Sequence, residues 1–133
     1  MARILVIDDN PSVLQSLGYF LESAGHTVFL ATNGEAGLRC ATGKPVDLVL
    51  LDIEMPDMSG LAVCSAMRED ATLREVPVVM MTGRLLREVV VPARAAGARV
   101  VMGKPFDLDY LHATISRYLP AGTPGVAASP AAE

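Results

Sequence analysis

Five short apolar runs constrain the fold of this chain more than any other feature of its sequence. Each run is almost continuously apolar rather than alternating, as expected for a strand that is buried on both faces of a sheet. The runs are Arg3–Ile7, Thr27–Ala31, Asp47–Leu51, Val76–Met81 and Arg99–Met102. They predict the five strands of a parallel sheet.

The segments between these runs are long enough to form helices. Apolar residues recur at three- to four-residue spacing in Pro11–Ala24 and again from Leu108 to Leu119, which predicts helices that each lay one apolar stripe on the sheet. Glycine and proline residues stand where these helices should end. Five strand–helix units in succession predict an α/β, doubly wound fold with helices on both faces of the sheet.

The predicted fourth helix, Leu85–Ala96, contains a proline. Pro92 has no amide hydrogen and cannot donate to the carbonyl of Glu88. We therefore expect this helix to be short, to be kinked, or to begin near Pro92 as a first-turn residue.

Length and composition predict one domain over residues 1–119. The chain has 133 residues, of which 51% are hydrophobic, enough for one compact core. After Leu119 the sequence is rich in Pro, Ala and Gly, so we expect residues 120–133 to be a disordered tail or the stub of a linker.

Charge and hydropathy exclude some partners. The 11 basic residues are scattered and outnumbered by 15 acidic ones, so we expect no direct contact with nucleic acid or with an anionic membrane. No apolar run approaches the roughly 18 to 20 residues of a membrane span, and the expected location is cytoplasmic. Cys40 and Cys64 are predicted to be free thiols. His26 and His112 lie away from the expected site, and we expect both to be surface or partly packed residues.

Polar residues collect at the expected carboxyl ends of the strands. They are Asp8 and Asp9 after the first run, Asp52 after the third, Thr82 after the fourth and Lys104 after the fifth. Any one of them could be an ordinary turn or cap residue. Because ligands bind outside the carboxyl ends of the strands in open α/β sheets, the set as a whole predicts one pocket.

Three carboxylates in one pocket repel one another unless a cation shares the site. Mg²⁺ is the expected ion, because it takes a few carboxylates together with phosphate oxygens, whereas zinc prefers His and Cys ligands. A carboxylate can attack phosphorus while a metal and an ammonium group neutralise charge on the transferring oxygens. Asp52 is the expected nucleophile because the third strand is central.

Five motifs at these strand ends resemble the receiver family of two-component signalling. They are Ile-Leu-Val-Ile-Asp-Asp-Asn at 4–10, Leu-Leu-Asp-Ile-Glu-Met-Pro-Asp-Met-Ser-Gly at 50–60, Met-Met-Thr-Gly at 80–83, Ala-Gly-Ala at 96–98 and Gly-Lys-Pro-Phe at 103–106. The resemblance extends from about Arg3 to Tyr118. It implies a flavodoxin-like sheet with strand order 2-1-3-4-5 and a cis bond between Lys104 and Pro105.

The resemblance also implies roles for the residues of the pocket. Asp8 would position Mg²⁺ through water, and Asp9 and Asp52 would bind it directly with the main-chain carbonyl of Glu54. Asp52 would accept a phosphoryl group from a histidine kinase or a phosphotransfer protein.

Thr82 and Lys104 would then bind phosphate oxygens. The face formed by the fourth helix and fifth strand would engage a downstream partner or an output domain, and the sequence leaves a homodimer open. Self-catalysed phosphotransfer and slow dephosphorylation serve switching, so we do not expect an enzyme in the usual sense.

Three residues are expected to modulate this chemistry. Val101 stands three positions before the lysine, where the family often has an aromatic residue, so the usual coupling between that ring and Thr82 cannot operate unchanged. Glu54 and Arg84 lie two residues past Asp52 and Thr82. We expect an ion pair between them that covers the site; the alternative is two solvated side chains.

Two other functional classes remain. A protein-interaction module could have the receiver fold and hold a partner without signalling through phosphate. A cofactor-binding enzyme on a doubly wound fold finds no support, because the first strand-to-helix turn reads Asp8-Asp9-Asn-Pro-Ser rather than a glycine-rich phosphate cradle.

Overall fold

The computed structural model describes residues 2–120, which form a parallel sheet covered by helices. The strands are β1 (Arg3–Ile7), β2 (Thr27–Ala31), β3 (Leu48–Asp52), β4 (Val78–Thr82) and β5 (Val100–Gly103). The helices are α1 (Pro11–Ser23), α2 (Gly34–Gly43), α3 (Gly60–Arg68), α4 (Arg87–Ala95) and α5 (Leu108–Ser116). The sheet order is β2-β1-β3-β4-β5, and every pair is parallel. The predicted doubly wound, flavodoxin-like fold is confirmed.

All five predicted strands are present, but the last three lie one or two residues further along the chain. Asp47 precedes β3, and its carboxylate accepts a hydrogen bond of 2.7 Å from the Arg3 main-chain nitrogen. At the other end, Asp52 and Thr82 are the last residues of β3 and β4, paired with Met81 and Gly103. The sheet ladder itself therefore fixes two predicted site residues.

The sheet separates two apolar cores. The side chains of Leu48 and Leu50 pack with α1 and α5, whereas Val49 and Leu51 face α2, α3 and α4. All four are fully buried. This explains why β3 is continuously apolar: successive side chains of a strand point to opposite faces, and both faces of this strand are covered by helices.

Helix α4 is short, as predicted, with nine residues. It begins at Arg87, and Pro92 lies inside it, so the alternative that it begins near Pro92 is wrong. Among α1 to α5, α4 alone lacks a side-chain hydrogen bond at its N-cap, which is Leu86. Only Ala93 of this helix is buried. Helix α4 is thus held by few contacts.

The predicted tail, residues 120–133, lies outside the described residues apart from Pro120. Between residues 2 and 120, none of the helices combines the length and the apolar character needed to span a bilayer. Cys40 and Cys64 are free thiols, as predicted. His112 is half-buried, but His26 is only 4% exposed, because it packs against α5 at the entrance to β2; the expectation of a surface or partly packed His26 is corrected.

Candidate functional site

Three carboxylates meet at the carboxyl edge of the sheet. Asp8 and Asp9 follow β1, and Asp52 ends the neighbouring strand β3, since Ile7 pairs with Leu51 in the ladder. One oxygen of each carboxylate lies within 4.8 Å of those of the other two. Asp8 and Asp52 are buried while Asp9 is exposed, so the cluster opens to solvent on the side of Asp9.

Lys104 brings a cation to the buried side of this cluster. Its Nζ atom lies 3.0 Å from Asp8 Oδ2 and 3.3 Å from Asp52 Oδ1. The main-chain nitrogen of Lys104 donates to the carbonyl of Thr82 over 2.7 Å, which ties the end of β5 to the end of β4. The Lys104–Pro105 bond is cis, as the resemblance implied.

The charges of this cluster are not balanced. Burial and, after it, the nearby charge of Asp8 raise the pKa of Asp52 to about 6, because Lys104 only partly opposes them. Burial by itself would lower the pKa of Lys104, but its hydrogen bond to Asp8 and the charges of both carboxylates outweigh this and raise it. A single ammonium group therefore leaves excess negative charge, which favours a cation.

The free oxygens of the cluster suit a hard cation. Asp8 is already occupied, because Oδ1 accepts from the Asn10 main-chain nitrogen over 2.9 Å and Oδ2 accepts from Lys104. Asp52 Oδ1 is buried, and within residues 2–120 its one polar partner is the Lys104 ammonium group, 3.3 Å away in an ion pair. A buried carboxylate that is paired with one ammonium group only, beside an exposed carboxylate, fits a metal that takes oxygen ligands and keeps some of its waters.

The Thr82 hydroxyl is hydrogen-bonded to residues outside the three-carboxylate cluster. Its Oγ1 donates a hydrogen bond of 2.6 Å to Glu54 Oε2, and it accepts one of 3.0 Å from the Arg84 main-chain nitrogen. Glu54 Oε1 also accepts from the Gly83 main-chain nitrogen over 3.3 Å.

The predicted ion pair between Glu54 and Arg84 is wrong: within the part of the chain that the structure describes, no ion pair joins them. The Glu54 carboxylate is taken by two donors of the β4 end, while the Arg84 side chain is exposed. A buried hydroxyl and a main-chain N–H gain more from a carboxylate than a guanidinium that water already solvates. Val101, the third predicted modulator, is half-buried beside the core between the sheet and α2, α3 and α4.

One residue of the site region escaped the sequence analysis. The Asp57 carboxylate accepts from the main-chain nitrogens of Gly34 and Glu35 over 3.2 and 3.4 Å. It thus binds the N-terminus of α2, where orphan amide groups and the helix dipole favour an anion. The loop that follows Asp52 is thereby attached to a second helix. An acidic residue after Pro56 was the only sequence signal, and it did not indicate which helix lies nearby.

The family of the chain follows from sequence comparison. Residues 4–116 match the response regulator receiver domain. The chain belongs to this family. It is therefore a receiver domain of two-component signalling, a phosphorylation-activated switch. The carboxylate cluster lies where four of the five receiver motifs meet, whereas the motif at 96–98 precedes β5 at the opposite edge of the sheet.

Individual relatives agree with this assignment. Protein PilH of Pseudomonas aeruginosa is 36% identical over 119 residues, which cover 90% of this receiver and 98% of PilH. The transcriptional regulatory protein KdpE of Mycobacterium tuberculosis is 38% identical over 82% of this chain, but only 47% of KdpE is covered. The chemotaxis protein CheY4 of Vibrio cholerae superposes with a TM-score of 0.86 at 31% identity, covering 90% of this chain and 99% of that one.

Proposed function

We propose that this receiver switches by accepting a phosphoryl group on Asp52 in the presence of Mg²⁺. The observation that carries the proposal is the state of the Asp52 carboxylate, which is buried and whose Oδ1 atom lies 3.3 Å from the Lys104 ammonium group. In the transfer step one oxygen of this carboxylate forms a bond to phosphorus while the bond from phosphorus to the donor breaks. The donor group leaves with the electron pair of that bond.

The roles that the receiver resemblance implies for the carboxylates are supported by the hydrogen bonds of Asp8. Asp9 and Asp52 have oxygens to offer and would hold Mg²⁺ with the main-chain carbonyl of Glu54. Asp8 has both oxygens engaged and would act on the ion through water. When bound, Mg²⁺ supplies positive charge next to the phosphate oxygens.

Lys104 and Thr82 would bind the oxygens of the acquired phosphoryl group. The ammonium group of Lys104 is already oriented by Asp8. It therefore places positive charge next to Asp52 without a change of side-chain conformation. Thr82 ends β4 next to Asp52 in the sheet, and its hydroxyl can donate one hydrogen bond.

The partners of this receiver are proposed from its family. A histidine kinase or a phosphotransfer protein would supply the phosphoryl group, and the α4–β5 face would engage a downstream partner or an output domain, or a second copy of the chain. The location would be cytoplasmic, where such kinases present their phosphoryl groups. Turnover of the phosphoryl group would serve switching, so the domain would not be an enzyme in the metabolic sense.

Intact-protein mass spectrometry after incubation with acetyl phosphate tests the proposal. The wild-type chain should gain one phosphoryl group only when Mg²⁺ is present, and Asp52→Asn should gain none. Glu75→Ala, an exposed change at the opposite edge of the sheet, should behave as the wild type. A folded wild-type protein that binds Mg²⁺ but gains no mass would contradict the proposal and favour an interaction module that does not use phosphate.

A further inference from the structure

The hydrogen bond between Thr82 and Glu54 occupies the only proton that the Thr82 hydroxyl can donate. Its length of 2.6 Å lies in the range of hydrogen bonds from a hydroxyl to an ionised carboxylate, which are about twice as strong as neutral ones. Thr82 is fully buried, whereas Glu54 is exposed. The Glu54 side chain therefore folds back from the surface to reach a buried hydroxyl.

We propose that Glu54 is a positioning residue that holds Thr82 in the resting state and competes with the phosphoryl group for its hydroxyl proton. The inference rests on the proposed function, in which Thr82 donates to a phosphate oxygen on Asp52. Because one hydroxyl cannot donate its single proton to two acceptors, Thr82 must leave Glu54 before it can bind phosphate. Breaking the hydrogen bond between Thr82 and Glu54 costs free energy, and this cost weakens the binding of phosphate.

The same contact restrains the segment that leads to α4. Glu54 also accepts from the Gly83 main-chain nitrogen, and the Arg84 main-chain nitrogen donates to the Thr82 hydroxyl. Thr82 and Gly83 are thereby attached directly to Glu54 in the loop after β3, and Arg84 is attached to the Thr82 hydroxyl. Their release frees a segment that enters α4 at Leu86, an N-cap without a side-chain hydrogen bond, so loss of one contact at the site can alter the start of the helix.

Glu54 also carries a negative charge close to the place of an incoming anion. Removing this charge should favour a phosphoryl group even if no contact with Thr82 existed. The two effects separate in a double-mutant cycle. The charge effect persists when Thr82 is replaced by Val, which has the same shape without a hydroxyl, whereas the competition for the hydroxyl disappears.

Beryllofluoride, a stable mimic of the phosphoryl group, serves as the probe in saturating Mg²⁺, with affinity measured by calorimetry. The proteins are the wild type, Glu54→Ala, Thr82→Val and the double variant, with Glu75→Ala as a matched loss of one remote negative charge. Glu54→Ala should tighten binding about tenfold more in the wild-type background than in the Thr82→Val background, as expected for a charge-assisted hydrogen bond. Glu54→Gln keeps an acceptor for the Thr82 proton. The difference between the two backgrounds should therefore be smaller for Glu54→Gln than for Glu54→Ala.

Equal factors in the two backgrounds would show that Glu54 acts by charge alone and would overturn the inference. Amide hydrogen exchange without any phosphate mimic gives a second test, because Glu54→Ala should accelerate exchange at Gly83 while Glu75→Ala should not. Unchanged exchange at Gly83 would also overturn it. A wild-type protein that takes neither beryllofluoride nor phosphate would instead contradict the proposed function, so the two failures are distinguishable.

Discussion

The Nε2 atoms of His26 and His112 face each other across 3.0 Å, although 86 positions separate the two residues in the chain. The ring centroids are 5.3 Å apart. This distance equals the separation of the two nitrogens plus one ring radius on each side, so the nitrogens point at each other. One imidazole therefore donates its N–H and the other accepts. The bond joins the residue before β2 to α5, on the sheet face that α1 and α5 cover.

This histidine pair predicts a loss of stability in mild acid. Burial lowers the pKa of His26, and the charges of His112 and of the chain's amino terminus lower it further. An unfolded histidine titrates near pH 6.5, so below that pH the unfolded chain binds more protons than the folded one, and the free energy of unfolding falls. The contribution is present above about pH 6.5 and is lost as the pH falls toward the lower pKa of the folded state, with a slope of up to about 1 kcal/mol per pH unit.

Urea unfolding of the wild type and of His26→Gln between pH 8 and pH 5 measures this effect. Glutamine keeps hydrogen-bonding capacity but cannot titrate, so the wild type should lose stability relative to the variant as the pH falls below about 6.5. Asp52 titrates in the same range in both proteins, so the difference between the two profiles isolates His26. Parallel profiles would contradict the prediction.

Asp52 predicts the opposite pH dependence. Its pKa is raised from 3.8 to about 6, so the folded state binds the proton more tightly than the unfolded one. The associated stability is fully present below pH 3.8 and is lost as the pH rises through about 6. At pH 7.5, without metal, the ionised Asp52 should therefore cost about 1 to 3 kcal/mol.

The variant Asp52→Asn removes this cost. In chelator at pH 7.5 its free energy of unfolding should exceed that of the wild type by a similar amount, and the gain should shrink toward zero near pH 4. Addition of Mg²⁺ at pH 7.5 should stabilise the wild type more than the variant. A gain that is the same at both pH values would show that the ionised Asp52 is not the cause.

The apolar runs predicted the sheet because burial on both faces leaves a direct mark on the sequence. Asp8, Asp52 and Thr82 could be assigned to one pocket for a related reason: parallel strands end at one edge, so residues that follow the runs must meet there. The exact ends of the strands were harder to predict. Asp52 and Thr82 are paired in the sheet ladder. The sequence did not show this, since a polar residue can either end a strand or begin a loop.

Contacts that join a loop to a strand or a helix could not be predicted in the same way. Glu54 binds Thr82 rather than Arg84, and His26 binds His112, although neither pair shares a helix face or a strand. Such contacts depend on the detailed packing of helices and loops against the sheet. Residue type and spacing identify side chains able to interact, but they do not select one acceptor among several within reach.

Pro92 predicts that α4 can be stabilised by a single exposed substitution. Proline leaves the Glu88 carbonyl without its helical donor and costs up to about 3 kcal/mol relative to alanine in a helix interior. Pro92→Ala restores this N–H group at an exposed position, so it should raise the free energy of unfolding by about 1 kcal/mol or more and slow amide exchange throughout α4. Val91→Ala, a neighbouring exposed change that gains helix propensity only, should raise the free energy of unfolding by no more than about 0.7 kcal/mol. Unchanged exchange in α4 would show that Pro92 does not limit this helix.

Two glycines at the ends of helices provide a test of how α3 supports the acceptor. A Cβ atom on Gly60, the first residue of α3, would lie 2.5 Å from the Asp52 carbonyl oxygen and 2.9 Å from Ile53 Cα. Both atoms belong to the backbone, and the Gly60 main-chain nitrogen donates to the Ile53 carbonyl over 2.8 Å. Gly43, the last residue of α2, has no heavy atom within 4 Å of an added Cβ.

Alanine has the better helix propensity at either position, by up to about 1 kcal/mol. Only at Gly60, however, would the added methyl group clash with backbone atoms. Gly43→Ala should therefore leave stability unchanged or slightly raised. Gly60→Ala should lower the free energy of unfolding by about 1 to 3 kcal/mol and slow the labelling of Asp52 by acetyl phosphate, because α3 can make room only by displacing the end of β3. Urea unfolding and the rate of mass gain measure the two effects. If Gly60→Ala is as stable and as quickly labelled as Gly43→Ala, the close approach of α3 does not position Asp52.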